Sequence, residues 1–380
     1  MLKLPPISLY IHIPWCIEKC PYCDFNSHKL RGEIPEQDYL HALLEDLSKD
    51  LAYVQGRLLE TIFIGGGTPS LLSAAGIGWL LTEIEKKIPF KENIEITLEA
   101  NPGAIENQKI ADFKDAGINR FSFGVQSFQQ EKLTKLGRIH GVEEAKTAAK
   151  QAHHVGMKTF NLDLMHGLPD QSLNDALSDL QTAINLKPTH LSWYQLTIEP
   201  NTQYFSHPPE LPEDEVLWDI QEKGQQLLAA NGYLQYEISG YSKVGFECLH
   251  NLNYWRFGDY IGIGCGAHGK LTLPLQNKIL RTTKIKHPKG YLDPTRAYLD
   301  ELTTVEKNDL AFEYMINRMR LFETIPFTEF EDFTGLSIHS VNQPIQNAIT
   351  KNLLIEDEDS WKVTPLGHRY LNELLTLFMN

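Results

Sequence analysis

The sequence is poor in cysteine, has no long apolar run and carries no excess of positive charge. Five cysteines in 380 residues are an odd number and too few for a disulfide framework. No apolar stretch approaches the roughly eighteen residues that a membrane-spanning helix needs. The segment from Met1 to Pro14 lacks the charged start, long apolar stretch and small-residue cleavage site of a secretory signal. Together these absences predict a cytoplasmic protein with no integral membrane segment. Acids outnumber bases, 49 Asp and Glu against 35 Lys and Arg, for a net charge of −14. A protein that gripped phosphate backbones would show the opposite balance or a basic stripe, so no nucleic-acid partner is expected. The most basic stretch holds Lys278, Arg281, Lys284, Lys286 and Lys289. Its charges are spaced out and end in Pro288-Lys-Gly290, which reads as a solvated loop.

Hydrophobic residues make up 42% of the chain, enough for a sizeable core in one large domain and a smaller one. Short apolar strands at Leu9–Ile13, Thr61–Ile64, Ile94–Leu98, Asn119–Val125, Thr159–Leu164 and His190–Leu196 are separated by stretches of helical periodicity. Those stretches are Glu36–Tyr53, Ser73–Lys87, Asn107–Ala116, Val142–Val155 and Leu173–Leu186. The alternation predicts repeated βα units on a parallel sheet. Six units are too few to close an eightfold barrel, so the expected fold is α/β: an open partial (β/α)6 barrel over residues 1–205, with its active face at the strand C-termini. An extension over residues 206–305 mixes short strands, glycines and aromatics. Residues 306–380 read as a helical, winged-helix-like domain, with helices at Leu310–Leu321, Phe327–Thr334 and Ser340–Lys351, a hairpin over Leu353–Val363 and a last helix from Pro365. Glu356, Asp357, Glu358 and Asp359 make this module a poor DNA reader.

Three of the five cysteines crowd into Cys16-Ile-Glu-Lys-Cys20-Pro-Tyr-Cys23. Thiolates are soft ligands suited to iron–sulfur clusters, and three of them leave one iron of a cubane open to a small molecule. Structural zinc is the rival and would need a fourth ligand, for which His12 and His28 are the candidates. Gly65-Gly66-Gly67-Thr68-Pro69 follows the second strand, where residues without side chains let backbone groups approach a polar ligand closely.

The string Tyr10-Ile-His-Ile-Pro-Trp-Cys-Ile-Glu-Lys-Cys-Pro-Tyr-Cys-Asp-Phe25 resembles the radical-SAM signature of the oxygen-independent coproporphyrinogen III oxidase family, and the resemblance spans nearly the whole chain. It implies a partial barrel of radical-SAM type, with Cys16, Cys20 and Cys23 holding a [4Fe–4S] cluster that donates an electron to S-adenosylmethionine (SAM), giving methionine and a 5′-deoxyadenosyl radical. By matching position and order, it implies SAM contacts from Gly66, Gly67, Thr68, Glu99, Gln126, Arg138 and Asp163, with Tyr10 and Tyr22 beside the cluster. The chemistry suits the ligand: carboxylates match its cations and hydroxyls, and a guanidinium matches its carboxylate.

Two departures from the oxidases bear on activity. They carry a further cysteine two residues after the third, where this chain has Phe25, and a longer segment ahead of the cluster. In their place, His250-Asn-Leu-Asn-Tyr-Trp255 resembles the string of a branch of the family regarded as haem chaperones. That branch implies haem as cargo and a haem-accepting apoprotein as partner. Read from the residues, His250 is a candidate axial ligand, Tyr254 and Trp255 offer flat apolar faces for a porphyrin, Cys248 is a second soft ligand or attachment site, and Arg256 suits a propionate. Cys265 reads as a small buried residue near the barrel's lower rim. The expectation is therefore a haem chaperone carrying a cluster and SAM. The alternative is a catalytic radical-SAM enzyme acting on coproporphyrinogen III or another tetrapyrrole.

Overall fold

A computed structural model describes residues 2–104 and 107–379. Its centre is one twelve-stranded sheet built from β1 (Ile7–Ile13), β2 (Leu59–Gly66), β3 (Phe90–Ala100), β4 (Arg120–Gln126), β5 (Thr159–His166), β6 (His190–Gln195), β7 (Leu234–Gln235), β8 (Gly240–Ser242), β9 (Asp259–Gly264), β10 (His268–Leu273), β11 (Lys278–Lys284) and β12 (Leu299–Thr304). The strand order is β12-β11-β10-β9-β1-β2-β3-β4-β5-β6-β8-β7. Strands β1 to β6 run parallel in sequence order, each crossing to the next through a helical layer. The principal crossover helices are α1 (Glu36–Asp50), α2 (Ala74–Lys87), α3 (Asn107–Asp115), α4 (Val142–His154) and α5 (Leu173–Asn185).

Local chemistry explains the boundaries. Ser73 accepts a hydrogen bond from the Gly76 amide to start α2, and Ser172 with Asp175 forms a reciprocal capping box at the start of α5. Strands β1 to β6 are mostly buried on both faces, but the faces differ. Ile7, Leu9, Ile11 and Ile13 of β1 pack outward against the helices, in a core continuous with Leu43, Ile62, Ile64, Leu98 and Phe121. The alternate residues line the barrel interior, which is polar: Ser8, Thr61, Glu95, Arg120, Asn161 and His190 are all buried there. A polar interior is costly unless it is hydrogen-bonded or serves a ligand, and both conditions operate here.

The sheet continues past the six expected units. Strand β9 pairs with β1 in parallel, so a seventh parallel strand comes from residues distant in sequence, and β10, β11 and β12 extend that edge antiparallel. The basic stretch expected to be a solvated loop is strand β11 up to Lys284. Lys284 is buried, with Nζ bonded to Asp46 Oδ1 and, at 2.7 Å, to Asp50 Oδ2, while Arg281 pairs with Glu313. Cys265 is likewise displaced from its expected place. The register His12 to Gly264 puts it just past the C-terminal end of β9, on the same rim as the cysteine loop rather than the lower one.

Residues from Leu310 onward build a second core around Tyr314, Phe330, Ile345 and Trp361, completed by Leu2, Phe257 and Ile279. Helices Leu310–Arg318, Phe327–Thr334 and Asn342–Thr350 pack with a three-stranded antiparallel sheet in which Ile325–Pro326 joins the expected hairpin. The last helix breaks at Tyr370 into Pro365–Arg369 and Leu371–Thr376.

Candidate functional site

The three clustered thiols lie in a loop that leaves β1 at Pro14 and closes on itself. The His28 amide donates to Pro14 O at 2.7 Å, the Leu30 amide to Cys16 O at 2.8 Å, and the Cys23 amide to Cys20 O at 3.1 Å. Lys19 Nζ reaches the carbonyls of Phe25 and Ser27 at 3.1 and 3.2 Å, drawing the loop tight. Asn26 ties it to the far edge of the sheet, donating to Cys265 O at 2.8 Å and Lys286 O at 2.9 Å. All three thiols are free and face one cavity of about 490 Å³ at the strand C-termini. Burial pushes the Cys16 and Cys23 thiols up, an environment that a bound cation would reverse.

Of the two candidate fourth ligands for zinc, His12 has both ring nitrogens hydrogen-bonded and His28 has one. His12 Nδ1 bonds Tyr10 Oη at 2.9 Å and its Nε2 bonds Asn26 O at 2.8 Å, while His28 Nε2 is held by Lys286 O at 3.1 Å. Among the described residues, no three His, Cys, Asp or Glu side chains are grouped so as to hold a single ion. Three cysteines lining one cavity supply the soft donors that an iron–sulfur cluster takes.

The glycine loop lies directly on the cysteine loop. The Gly67 amide donates to Ile13 O at 2.7 Å and the Thr68 amide to Trp15 O at 2.8 Å. A Cβ on Gly67 would stand 2.5 Å from Trp15 O, so this approach requires glycine. Gly66, Gly67, Thr68, Tyr22, Glu99, Gln126, Arg138 and Asp163 all line the same cavity as the thiols. Tyr10 is not part of that wall: its hydroxyl is bonded to His12 and its ring stacks on Phe63.

Two buried carboxyls on this wall are held above the usual carboxylate range. Burial, reinforced by the Asp163 charge, pushes the Glu99 carboxyl up to about 8 against the pull of the Gly66 amide. Burial also raises Asp163, although Ser122 Oγ donates to it at 2.9 Å and Asn161 Nδ2 at 2.7 Å. Arg138 donates to Gly124 O at 2.6 Å and lies 3.6 Å from Cys20 Sγ, with its buried Nε unpaired. Gln126 sits at a register shift in β4 with φ of +69°, a bulge that re-aims its side chain toward Tyr194 Oη at 3.0 Å. Ser122, Ser192 and Tyr194 also line the cavity and escaped the sequence reading. Their signal was the period-two alternation that places Ser192 and Tyr194 on the inward face of β6, beside Asp163 of β5.

His250 lies elsewhere. The helix Leu249–Trp255 plugs the barrel toward the start of the strands, its first amides capped by Glu95: Leu249 N to Oε2 at 3.2 Å and His250 N to Oε1 at 3.0 Å. His250 is 1% exposed, with Nδ1 on Thr61 Oγ1 at 2.7 Å and Nε2 on Tyr254 Oη at 2.8 Å. Both ring nitrogens are therefore hydrogen-bonded inside the barrel, and axial ligation of haem iron would require one of them to part from Thr61 or Tyr254. Cys248 is fully buried against Glu95, and burial pushes its thiol up to about 12. Arg256, expected to face a propionate, grips both oxygens of Glu323 at 2.9 and 2.7 Å. Trp255 and Asn251, on the same helix, do reach the cavity.

A parallel α/β barrel with three cysteines beside a glycine-rich loop and buried carboxylates at the strand ends defines the radical-SAM class. Residues 10–180 match the model of the Radical SAM superfamily, and residues 305–370 match that of the HemN C-terminal domain. The solved structure of coproporphyrinogen III oxidase (HemN) from Escherichia coli superposes with a TM-score of 0.84 at 22% identity, covering 99% of this chain and 90% of that one. The proteins named heme chaperone HemW from Escherichia coli K12 and Haemophilus influenzae are each 58% identical to it, over 100% of this chain and 100% and 99% of theirs. The Bacillus subtilis protein of the same name is 34% identical over 98% of this chain and 99% of its own length. The chain belongs to the HemW family of radical-SAM proteins.

Proposed function

We propose that this protein binds haem and passes it to an acceptor apoprotein, and that it carries a [4Fe–4S] cluster on Cys16, Cys20 and Cys23 with SAM in the adjoining cavity. The observation that carries the haem reading is the end-to-end 58% identity to proteins named haem chaperones. Phe25, standing where the resembled oxidases have a further cysteine, points the same way.

The residues fit the cofactors. Three free thiols supply soft donors, and a cubane held by three leaves one iron for a chelating ligand. Glu99 and Asp163 are a destabilised acid pair on a cavity wall, which an ammonium or a ribose hydroxyl relieves. Arg138, with its unpaired Nε, suits a carboxylate. The glycine loop offers backbone polar groups without side-chain obstruction. When bound, the cluster and SAM supply one-electron chemistry. The protein's part is to orient SAM between Arg138 and the acids and to fix the thiols through Asn26 and Lys19.

Anaerobic titration of the reconstituted protein with haem, followed by mixing with an apo-haemoprotein, tests the reading. Saturable Soret absorbance that moves to the acceptor is expected. Absence of saturable haem binding, with SAM consumed in the presence of coproporphyrinogen III, would replace it with the enzyme alternative.

A further inference from the structure

One wall of the cavity serves neither the thiols nor the acid pair. It is built where the C-terminal domain meets the barrel: the Phe322 amide donates to Tyr236 O at 3.1 Å, and Glu237 bridges to Leu321. Arg320, Trp255 and Glu237 face the cavity from this seam. The Arg320 guanidinium lies over the Trp255 ring, 4.3 Å from its centroid. Three polar atoms here are buried without a hydrogen-bond partner: Arg320 Nε, Trp255 Nε1 and Glu237 Oε2. Glu237 is 5% exposed, and its other oxygen is satisfied by the Ser239 amide at 3.0 Å. Its free oxygen stands 3.8 Å from Arg320 Nη2, a loose approach that leaves both groups under-satisfied.

Buried polar groups left unpaired are costly, so two such donors and a carboxylate oxygen together on a cavity wall mark a place that a ligand completes. An indole N–H and a guanidinium stacked together present two kinds of donor to one acceptor group. A carboxylate answers both, because guanidinium and carboxylate pair through charge-assisted hydrogen bonds and Trp Nε1 can only donate. The Trp255 ring adds an apolar face for the carbon skeleton that carries the carboxylate.

We infer that Arg320 and Trp255 form a carboxylate subsite at the domain seam and that it receives a propionate of haem. The inference rests on the haem reading above for the identity of the ligand, and on the seam itself for the subsite. It places the propionate partner at Arg320, which faces the cavity, while Arg256 lies outside the cavity wall in an exposed pair with Glu323. It also assigns Trp255 a donor function that its place in the sequence motif does not reveal.

The test compares haem with haem dimethyl ester, whose two carboxylates are blocked, by anaerobic Soret titration of the cluster-loaded protein. Wild type should prefer haem about tenfold or more, the worth of one charge-assisted pair in a partly dry site. Arg320→Gln should bind haem no better than wild type binds the ester, with ester affinity unchanged, and Trp255→Phe should lose about threefold for haem alone. SAM affinity should be the same in all three. Equal binding of haem and ester by wild type would overturn the subsite while leaving the chaperone reading intact. Loss of SAM affinity in Arg320→Gln would overturn it by giving Arg320 to the SAM carboxylate. Failure of wild type to bind either porphyrin would overturn both. Should Arg320→Gln not fold, the wild-type comparison and Trp255→Phe decide alone.

Discussion

The backbone N–H of Gly66 donates to Glu99 Oε2 at 3.0 Å, fastening the glycine loop after β2 to the carboxylate that ends β3. The bond joins the two parts of the cavity that the resemblance assigns to SAM. It also leaves Glu99 exposed to the like charge of Asp163.

Glu99→Gln should therefore act in opposite directions on stability and binding. A carboxyl raised to about 8 in the folded protein, against 4.5 in the unfolded chain, holds a proton in the native state that the unfolded state releases. Ligand-free stability must then fall as pH rises from about 4.5 to 8, and the glutamine variant should lack this loss. Because part of the carboxyl meets cavity water, we expect the variant to gain about 1–2 kcal/mol at pH 7 rather than the full value of the shift. SAM affinity should drop at least about tenfold. Wild-type affinity should also rise with pH toward 8 more steeply than the variant's. Chemical denaturation and calorimetric titration across pH 5–8 measure both effects, and parallel pH profiles in the two proteins would remove Glu99 from the site.

Gly67→Ala places a methyl group 2.5 Å from the Trp15 carbonyl, inside any tolerable contact. Since that carbonyl immediately precedes Cys16, the two loops must separate. A stability loss of about 1–3 kcal/mol and at least tenfold weaker SAM binding are expected. Unchanged binding would show that the loop's approach to the cysteine segment is not needed for the ligand.

Arg138 and Cys20 should separate the two cofactors. Arg138→Ala removes the guanidinium from the cavity wall and should weaken SAM binding about tenfold or more while the reconstituted cluster keeps its absorbance. Cys20→Ala should abolish that absorbance altogether. A normal cluster spectrum in Cys20→Ala would overturn the ligand set, and undiminished SAM affinity in Arg138→Ala would overturn the carboxylate assignment.

The barrel was legible because its signals are local. Each crossover helix has its periodicity, each strand its apolar run, and the cysteine spacing lies within one loop. What escaped depends on distant partners. Strand β9 reads only as a glycine-rich segment until Asp259–Gly264 is laid beside Ile7–His12. Lys284 looks solvated until Asp46 and Asp50, over 230 residues away, surround it. The His250 string reads the same whether its imidazole faces a ligand or a core. Only Thr61 and Glu95, at the barrel's lower end, show the imidazole held in the core. Arg320 carried no motif, and its role arises from the packing of the C-terminal domain against Trp255.

That burial turns His250 into a test of fold against ligation. Burial first, and the Arg120 charge next, lower its pKa to about 3, so the ring is neutral in the native protein and takes up a proton on unfolding below pH 6.5. Its contribution should be complete above pH 6.5 and decline as pH falls toward 3. His250→Ala breaks the bonds to Thr61 and Tyr254 and opens a cavity beside Phe63, a loss of about 3 kcal/mol. The variant should also lose less stability than wild type between pH 6.5 and 4, since it has no buried imidazole to protonate. Per folded molecule, its haem titration and Soret maximum should match wild type. A shifted Soret band with an unmoved denaturation midpoint would instead make His250 an iron ligand. The ring would then have to leave Thr61 and Tyr254 when haem binds, and the plug helix would be the moving part of the molecule.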